Sequence, residues 1–141
     1  MALITLIYVS SAARSFSRVD IKDILNRSRA ANAANDITGL LLFKDGHFMQ
    51  VLEGDADSVD ALEQKIAKDP RHYGVIRLLR TPIQHRSFGD WKMGFKDMAD
   101  LTAAEKLGYS DYLDRPLNDT AYLTNPAKAL MLLQTFKQII R

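Results

Sequence analysis

The chain of 141 residues contains no cysteine. That excludes disulfides, cysteine-based zinc sites, thiol nucleophiles and any cofactor chemistry through a cysteinyl adduct. Histidine is scarce: His47, His72 and His85 are scattered, and none forms an H-x-x-x-H or H-E-x-x-H pair, so no metal site is expected. An excess of charge of one sign is also lacking. The net charge is +2 with both signs interspersed, which leaves no electrostatic case for nucleic acid or an anionic membrane. No run is long and apolar enough to span a bilayer. The opening Met-Ala-Leu-Ile-Thr lacks the basic start and small-residue cleavage site of a signal peptide, so a cytoplasmic location is the default expectation. Neither a G-x-G-x-x-G nor a Walker loop occurs, and there is no internal repeat or low-complexity segment.

What is present is the composition of one ordinary globular domain, 47% hydrophobic and 26% charged, at a length that supports a real core. The stretch 46–54, reading GHFMQVLEG, organises the rest. Turn signals flank it, and on a strand Phe48, Gln50 and Leu52 point one way while Met49 and Val51 point the other. Apolar residues on both faces predict a strand covered on both sides. Gln50 then sits inside a hydrophobic row, where a buried amide without partners costs roughly 1–3 kcal/mol. Something must occupy its donor and acceptor positions.

In chain order, residues 3–9 read as a strand with Ile4, Leu6 and Tyr8 on one face, followed by a small polar loop over 10–16. Ser17 reads as an N-cap with Asp20 three residues on, opening a helix to about residue 31. Ile24, Ser28 and Asn32 are four apart, so its inward stripe turns from apolar to polar. Residues 37–43 form a second strand, joined by the Lys44-Asp45-Gly46 turn to the third. A second helix over 55–68 presents Val59, Leu62 and Ile66 inward and ends at Asp69-Pro70. A fourth strand is predicted over 73–81 and a fifth over 91–96, the latter with Trp91, Met93 and Phe95 on one face.

The order βαββαββ predicts an α+β, ferredoxin-like sandwich of two helices on a sheet. The fifth strand can lie beside the third or at the sheet edge. After Asp97 the composition shifts to helix formers: 102–108, a loop at Pro116 and Asn118, then 126–140 with Ala129, Leu130, Leu133, Phe136 and Ile140 as an amphipathic stripe. Its natural partner is the opposite sheet face, bearing Ile7, Val9, Leu40, Leu42, Met49 and Val51. Otherwise a second subunit must cover that face. The expected division is a domain over 1–97 and a helical cap over 98–141.

Tyr8, Asn32 and Gln50 all point at the layer between sheet and helices, with Ser28 nearby. The first and third strands are neighbours in a βαββ unit, so Tyr8 and Gln50 fall within hydrogen-bonding reach. A phenol, two amides and a hydroxyl form a directional, uncharged set that suits a planar heterocycle in an apolar slot between Ile24 and Ile66. Singly, each is better explained as a satisfied core residue, or for Asn32 as a helix cap, and it is the set on one layer that points to a ligand. No nucleophile–base pair is present, so hydrolysis fits poorly and no enzyme activity is expected.

These residues form a pattern. Tyr8 in LIYVS, Ser28-x-x-x-Asn32-x-x-x-x-Ile37-Thr38-Gly39, Gly46-x-Phe48-x-Gln50-x-Leu52-Glu53-Gly54, Asp69-x-Arg71-His72 and Trp91-x-Met93 together resemble the BLUF photoreceptors, which sense blue light using FAD. The resemblance covers residues 2–97 in order and spacing, and the remainder looks like the helical extension of the short, stand-alone members. It implies noncovalent FAD, with FMN or riboflavin able to take the same slot. It implies that Asn32 holds the pyrimidine edge, that Gln50 stands between Tyr8 and the ring, that Ile24 and Ile66 sandwich the ring and that Ser28 orients it. Asp69, Arg71 and His72 would border the ring and ribityl chain, and Lys65 would meet the phosphates. One departure is Ala31, where several relatives carry a polar residue that also reaches the flavin.

The mechanism so implied is light-driven electron and proton transfer from Tyr8 to the flavin, leaving the Gln50 hydrogen bonds switched and the absorption band slightly red-shifted. Trp91 or Met93 would relay the change to the fifth strand and the C-terminal helices, and on to a partner protein or a homo-oligomer. Three rivals frame the expectation. An RNA-binding ferredoxin-like module would need stacking aromatics and basic residues on an exposed sheet face, which here is aliphatic. An acylphosphatase-like enzyme would need a phosphate-cradling loop with an arginine, for which 10–17 is a poor candidate. The third is a light-insensitive flavin-binding module.

Overall fold

The computed structural model describes residues 2–13, 17–89, 91–98 and 116–139, with backbone only for 18 and 136–139. In chain order these form β1 (Leu3–Ala12), α1 (Arg18–Asn35), β2 (Thr38–Lys44), β3 (His47–Asp55), α2 (Ala56–Lys68), β4 (His72–Pro82), β5 (Gly94–Asp97), α3 (Thr120–Thr124) and α4 (Pro126–Ile139). The predicted helix over 102–108, loop positions 14–16, and the Phe136 side chain and Ile140 of the amphipathic stripe lie outside the described residues.

Local chemistry sets the element ends. The Ser17 hydroxyl accepts from the Asp20 amide while the Asp20 carboxylate accepts from the Ser17 amide, a complete capping box at the start of α1. The helix runs past residue 31 to Asn35, because alanines are the best helix formers and no breaker intervenes before Asp36, which caps it at φ 54°. The β2–β3 turn has Asp45 at φ 48° and Gly46 at φ 81°, both in the left-handed region that a two-residue hairpin turn requires. This turn fixes the register, placing Leu41 opposite Gln50. β1 continues to Ala12, three residues beyond its predicted end, because Ser10 and Ser11 pair with Phe48 and His47.

The sheet order is β4-β1-β3-β2-β5. All neighbours are antiparallel except β2 and β5, which run parallel. Of the two places expected for β5, the edge is the one it takes. β1 and β3 lie in the middle, so Tyr8 and Gln50 are direct register partners. The register between β1 and β4 shifts on both sides of Tyr8 and Val9, an irregularity of the kind found beside functional sites.

Two cores sandwich the sheet. On one face Ile4, Leu6, Leu41, Phe48 and Leu52 pack with Leu25 of α1 and Val59 of α2. On the other, Ile7, Val9, Leu40, Leu42, Met49 and Val51 pack with Leu117, Tyr122, Ala129, Leu132 and Leu133 from α3, α4 and the turn before them. The C-terminal helices therefore cover the second face, as the amphipathic stripe predicted. No described helix is long and apolar enough to cross a membrane.

One expectation is corrected. Trp91, Met93 and Phe95 do not share a face: Met93 and Phe95 join the α1–α2 core, whereas Trp91 packs into the C-terminal core. Period-two alternation holds only within a strand, and β5 does not begin until Gly94, not at residue 91. Before it the chain bends, held by Gly39 N–H donating to the Trp91 carbonyl at 3.1 Å. The Trp91 ring lies so close to Gly94 that a β-carbon there would meet Trp91 Cε3 at 2.6 Å.

Candidate functional site

Tyr8 is buried in the α1–α2 core, and its phenol donates to Oε1 of Gln50, itself buried. Burial pushes the Tyr8 pKa up, and the nearby Asp69 charge adds to the effect, so the phenol stays protonated throughout the physiological range. With Oε1 committed to Tyr8, Gln50 turns its amino group to the Met93 sulfur at 3.1 Å. The three side chains form a buried chain of donors, Tyr8 to Gln50 to Met93, with a weak sulfur acceptor at its end.

Most of the expected site residues line a cavity of about 90 Å³ between α1 and α2. Tyr8 and Gln50 form its floor, α1 contributes Ile24 and Ser28, and α2 contributes Ile66, with Asp69, Arg71 and His72 following it. Asn32 and Lys65 are not in this cavity but line an adjoining one of about 290 Å³ farther along the same helix seam, beside Ala31. Lys65 also joins Arg27, Lys68, Asp69 and Arg71 around a wider mouth of about 580 Å³. Trp91 reaches none of them.

Asn32 is 1% exposed. Its Nδ2 donates to the Lys92 carbonyl at 2.8 Å, while its Oδ1 finds no hydrogen-bond partner among the described residues. An acceptor buried and unmatched in this way costs about 1–3 kcal/mol unless a ligand N–H meets it. A flavin ring edge carries such a donor. The residues present therefore fit that group: an apolar slot, an unmatched acceptor and an uncharged amide.

Arg71 and His72 have partners within the chain. Arg71 grips the Asp69 carboxylate with Nε at 3.0 Å and Nη2 at 2.7 Å, and reaches Asp23 of α1 with Nη1 at 2.9 Å. Its hydrogen bonds hold the Asp69 carboxyl below the usual range. The His72 Nε2 faces the Ile66 carbonyl and must donate, so in the neutral ring Nδ1 accepts from the Ser10 hydroxyl at 2.9 Å. Both side chains thus fasten the C-terminal end of α2 over the cavity.

Several participants escaped sequence reasoning. Leu41 and Phe48 line the cavity, and hairpin register alone would have found Leu41. Arg27 lines the cavity and the mouth. Arg29 Nε donates to the Met93 carbonyl at 3.1 Å, and with Asn32 it ties α1 to the start of β5; main-chain acceptors leave no sequence signal.

The sequence matches the profile of the family described as sensors of blue-light using FAD, over residues 3–94. It is 36% identical over 135 residues to photoactivated adenylate cyclase subunit beta of Euglena longa, spanning 95% of this chain but 14% of that protein. The structure superposes on the dark-state structure of BlrB, a BLUF protein, with a TM-score of 0.82 and 29% identity, covering 99% of this chain and 98% of BlrB. It also matches Klebsiella pneumoniae BlrP1 with FMN and cyclic diGMP, with a TM-score of 0.69 and 31% identity over 88% of this chain and 35% of that one. The profile match, a full-length fold match and a buried Tyr–Gln–Met chain beside an unmatched amide oxygen lead to one conclusion: the chain belongs to the BLUF family of blue-light flavin sensors.

Proposed function

We propose that this chain is a noncovalent FAD photoreceptor whose switch is the Gln50 amide and whose output is protein–protein contact. FMN or riboflavin would use the same ring contacts. Ile24 and Ile66 would flank the ring, Ser28 would orient it, Asn32 Oδ1 would accept from its edge and Gln50 would face it. Lys65 would meet the phosphates, together with Arg27 and Lys68 around the same mouth. Arg71 would act chiefly through its grip on Asp69 and Asp23. The observation that carries the reading is the Tyr8–Gln50–Met93 chain.

When bound and excited by blue light, the flavin supplies a strong oxidant. Tyr8 is the donor, with its proton directed at Gln50 Oε1. A half-turn of the Gln50 amide, or its imidic tautomer, exchanges donor and acceptor. After a half-turn the carbonyl oxygen would face the Met93 sulfur, which offers it no proton. Met93 must then move or the contact is lost. Met93 sits on the segment that Asn32 and Arg29 hold by its carbonyls, so displacement spreads to α1 and the β5 edge. A remade hydrogen bond is worth about 1 kcal/mol, so coupling to a partner of about 1–3 kcal/mol, or roughly 5–150-fold in affinity, is the expected scale. Leu123 and Met131 on the outer side of the C-terminal helices, 42% and 52% exposed, support a contact there with a partner or a second copy.

Absorption spectra of purified protein, in the dark and after blue light, test the proposal. A yellow protein with a small reversible red shift is expected. Colourless protein that flavin does not colour, or yellow protein inert to light, overturns it. Asn32→Ala should weaken flavin binding by roughly 5–150-fold, the cost of one buried hydrogen bond to an amide. Unchanged affinity in a fluorescence titration would remove Asn32 from the ring contacts.

A further inference from the structure

Among the described residues, one buried carboxylate is not used by the switch. Glu53 is 2% exposed and stands on the C-terminal face of β3, opposite in direction to Gln50. A carboxylate so placed needs donors, since burying an uncompensated charge is costly. It has three: the Ser87 amide at 2.7 Å, the Phe88 amide at 2.8 Å and the Thr38 hydroxyl at 3.2 Å. Arg86 does not pair with it directly. Its Nη1 reaches the Thr38 hydroxyl at 2.9 Å and the Glu53 carbonyl at 3.0 Å, and its Nη2 reaches the Asp36 carbonyl at 2.7 Å. The hydroxyl thus passes one donor on to the carboxylate.

Ser87 and Phe88 belong to the connection between β4 and β5. Phe88 is fully buried in the C-terminal core, and its ring centroid is 6.3 Å from that of Trp91. The Trp91 amide donates to the Phe88 carbonyl at 3.0 Å, and two residues later Met93 meets Gln50. The connection is therefore pinned to Glu53 on one face and delivers the sulfur to the other.

We propose that Glu53 is a positioning residue for the light switch: its carboxylate anchors the loop that holds Met93 against Gln50 and keeps Trp91 out. The proposal rests on the reading of Gln50 as the switch. Its chemistry requires a carboxylate, not merely a polar group. All three partners are donors, so an amide at this position would turn its own N–H groups on one of them.

The test compares full-length wild type with Glu53→Gln and Thr38→Val, each with and without FAD. Trp91 is the sole tryptophan, so its acrylamide quenching reports this loop directly. Glu53→Gln should keep flavin and the red shift, raise Trp91 quenching in both forms, and return to the dark state roughly tenfold faster, the scale of one charge-assisted hydrogen bond. Thr38→Val, which spares the carboxylate, should shift both readouts the same way by less. A lowered melting temperature with unchanged Trp91 quenching and recovery overturns the proposal. If Glu53→Gln does not fold, an unchanged Thr38→Val overturns it. Wild type without a red shift would sink the reading of Gln50 instead, while the Trp91 comparison without FAD still decides for or against the anchor.

Discussion

Tyr8→Phe should give a yellow protein that no longer responds to light. The substitution removes one oxygen and leaves the ring, its packing and the Asn32 side of the seam intact, so flavin stays bound. What disappears is the proton directed at Gln50 Oε1. The oxygen is then left without its donor in a dry layer, which costs about 1–3 kcal/mol of stability. The red-shifted state should be lost outright, because no other hydroxyl or acid is hydrogen-bonded to Gln50 among the described residues. Gln50→Leu should give the same optical result by removing the group that switches. Difference spectra under blue light, read beside thermal melts, check both variants. A normal photocycle in either would defeat the mechanism.

The second large effect concerns the other face. Truncation after Asp97 removes Leu117, Tyr122, Ala129, Leu132 and Leu133 from their core and uncovers Ile7, Val9, Leu40, Leu42, Met49 and Val51. None of these six is more than 2% exposed in the intact chain. At roughly 1.5–3 kcal/mol for each aliphatic side chain returned to water, the loss is of the order of 10 kcal/mol, comparable with a domain's whole stability. An apolar sheet face of that size recruits other copies. Aggregation is expected, with any soluble fraction keeping its flavin spectrum because the flavin-side residues all precede Asp97. Size-exclusion chromatography with absorbance detection distinguishes the outcomes. A soluble monomer with an unchanged melt would contradict the helix-on-sheet packing.

Much of this was legible because short-range rules govern it. The N-terminus of α1 follows from Ser17 and Asp20, the hairpin from Asp45-Gly46, and the Tyr8–Gln50 pairing from strand adjacency. Alternation in β3 correctly divided Phe48, Gln50 and Leu52 from Met49 and Val51. The same rule failed at Trp91, because the bend before β5 is set by a tertiary hydrogen bond from Gly39 that no local pattern encodes. Arg71 and His72, expected to border the ring and ribityl chain, line the cavity. Their contacts to Asp69 and the Ile66 carbonyl are local, but those to Asp23 and Ser10 depend on how distant elements come together. Glu53 was visible only as part of a motif. Two of its three partners are main-chain amides more than thirty residues away, and amides are alike in every sequence.

Gly94 gives the hook between Phe88 and β5 a further property. Indole and thioether stand on opposite banks of the sheet, so a relay that exchanged them would be a swivel and not a slide along the strand. The swivel must open the Gly39–Trp91 latch and lift the indole off a bare α-carbon. Any side chain at 94 would wedge the indole from its seat before light arrived, since the first added carbon already collides with it. Were Trp91 and Met93 the relay expected from the sequence, Gly94 would thus help set its resting side.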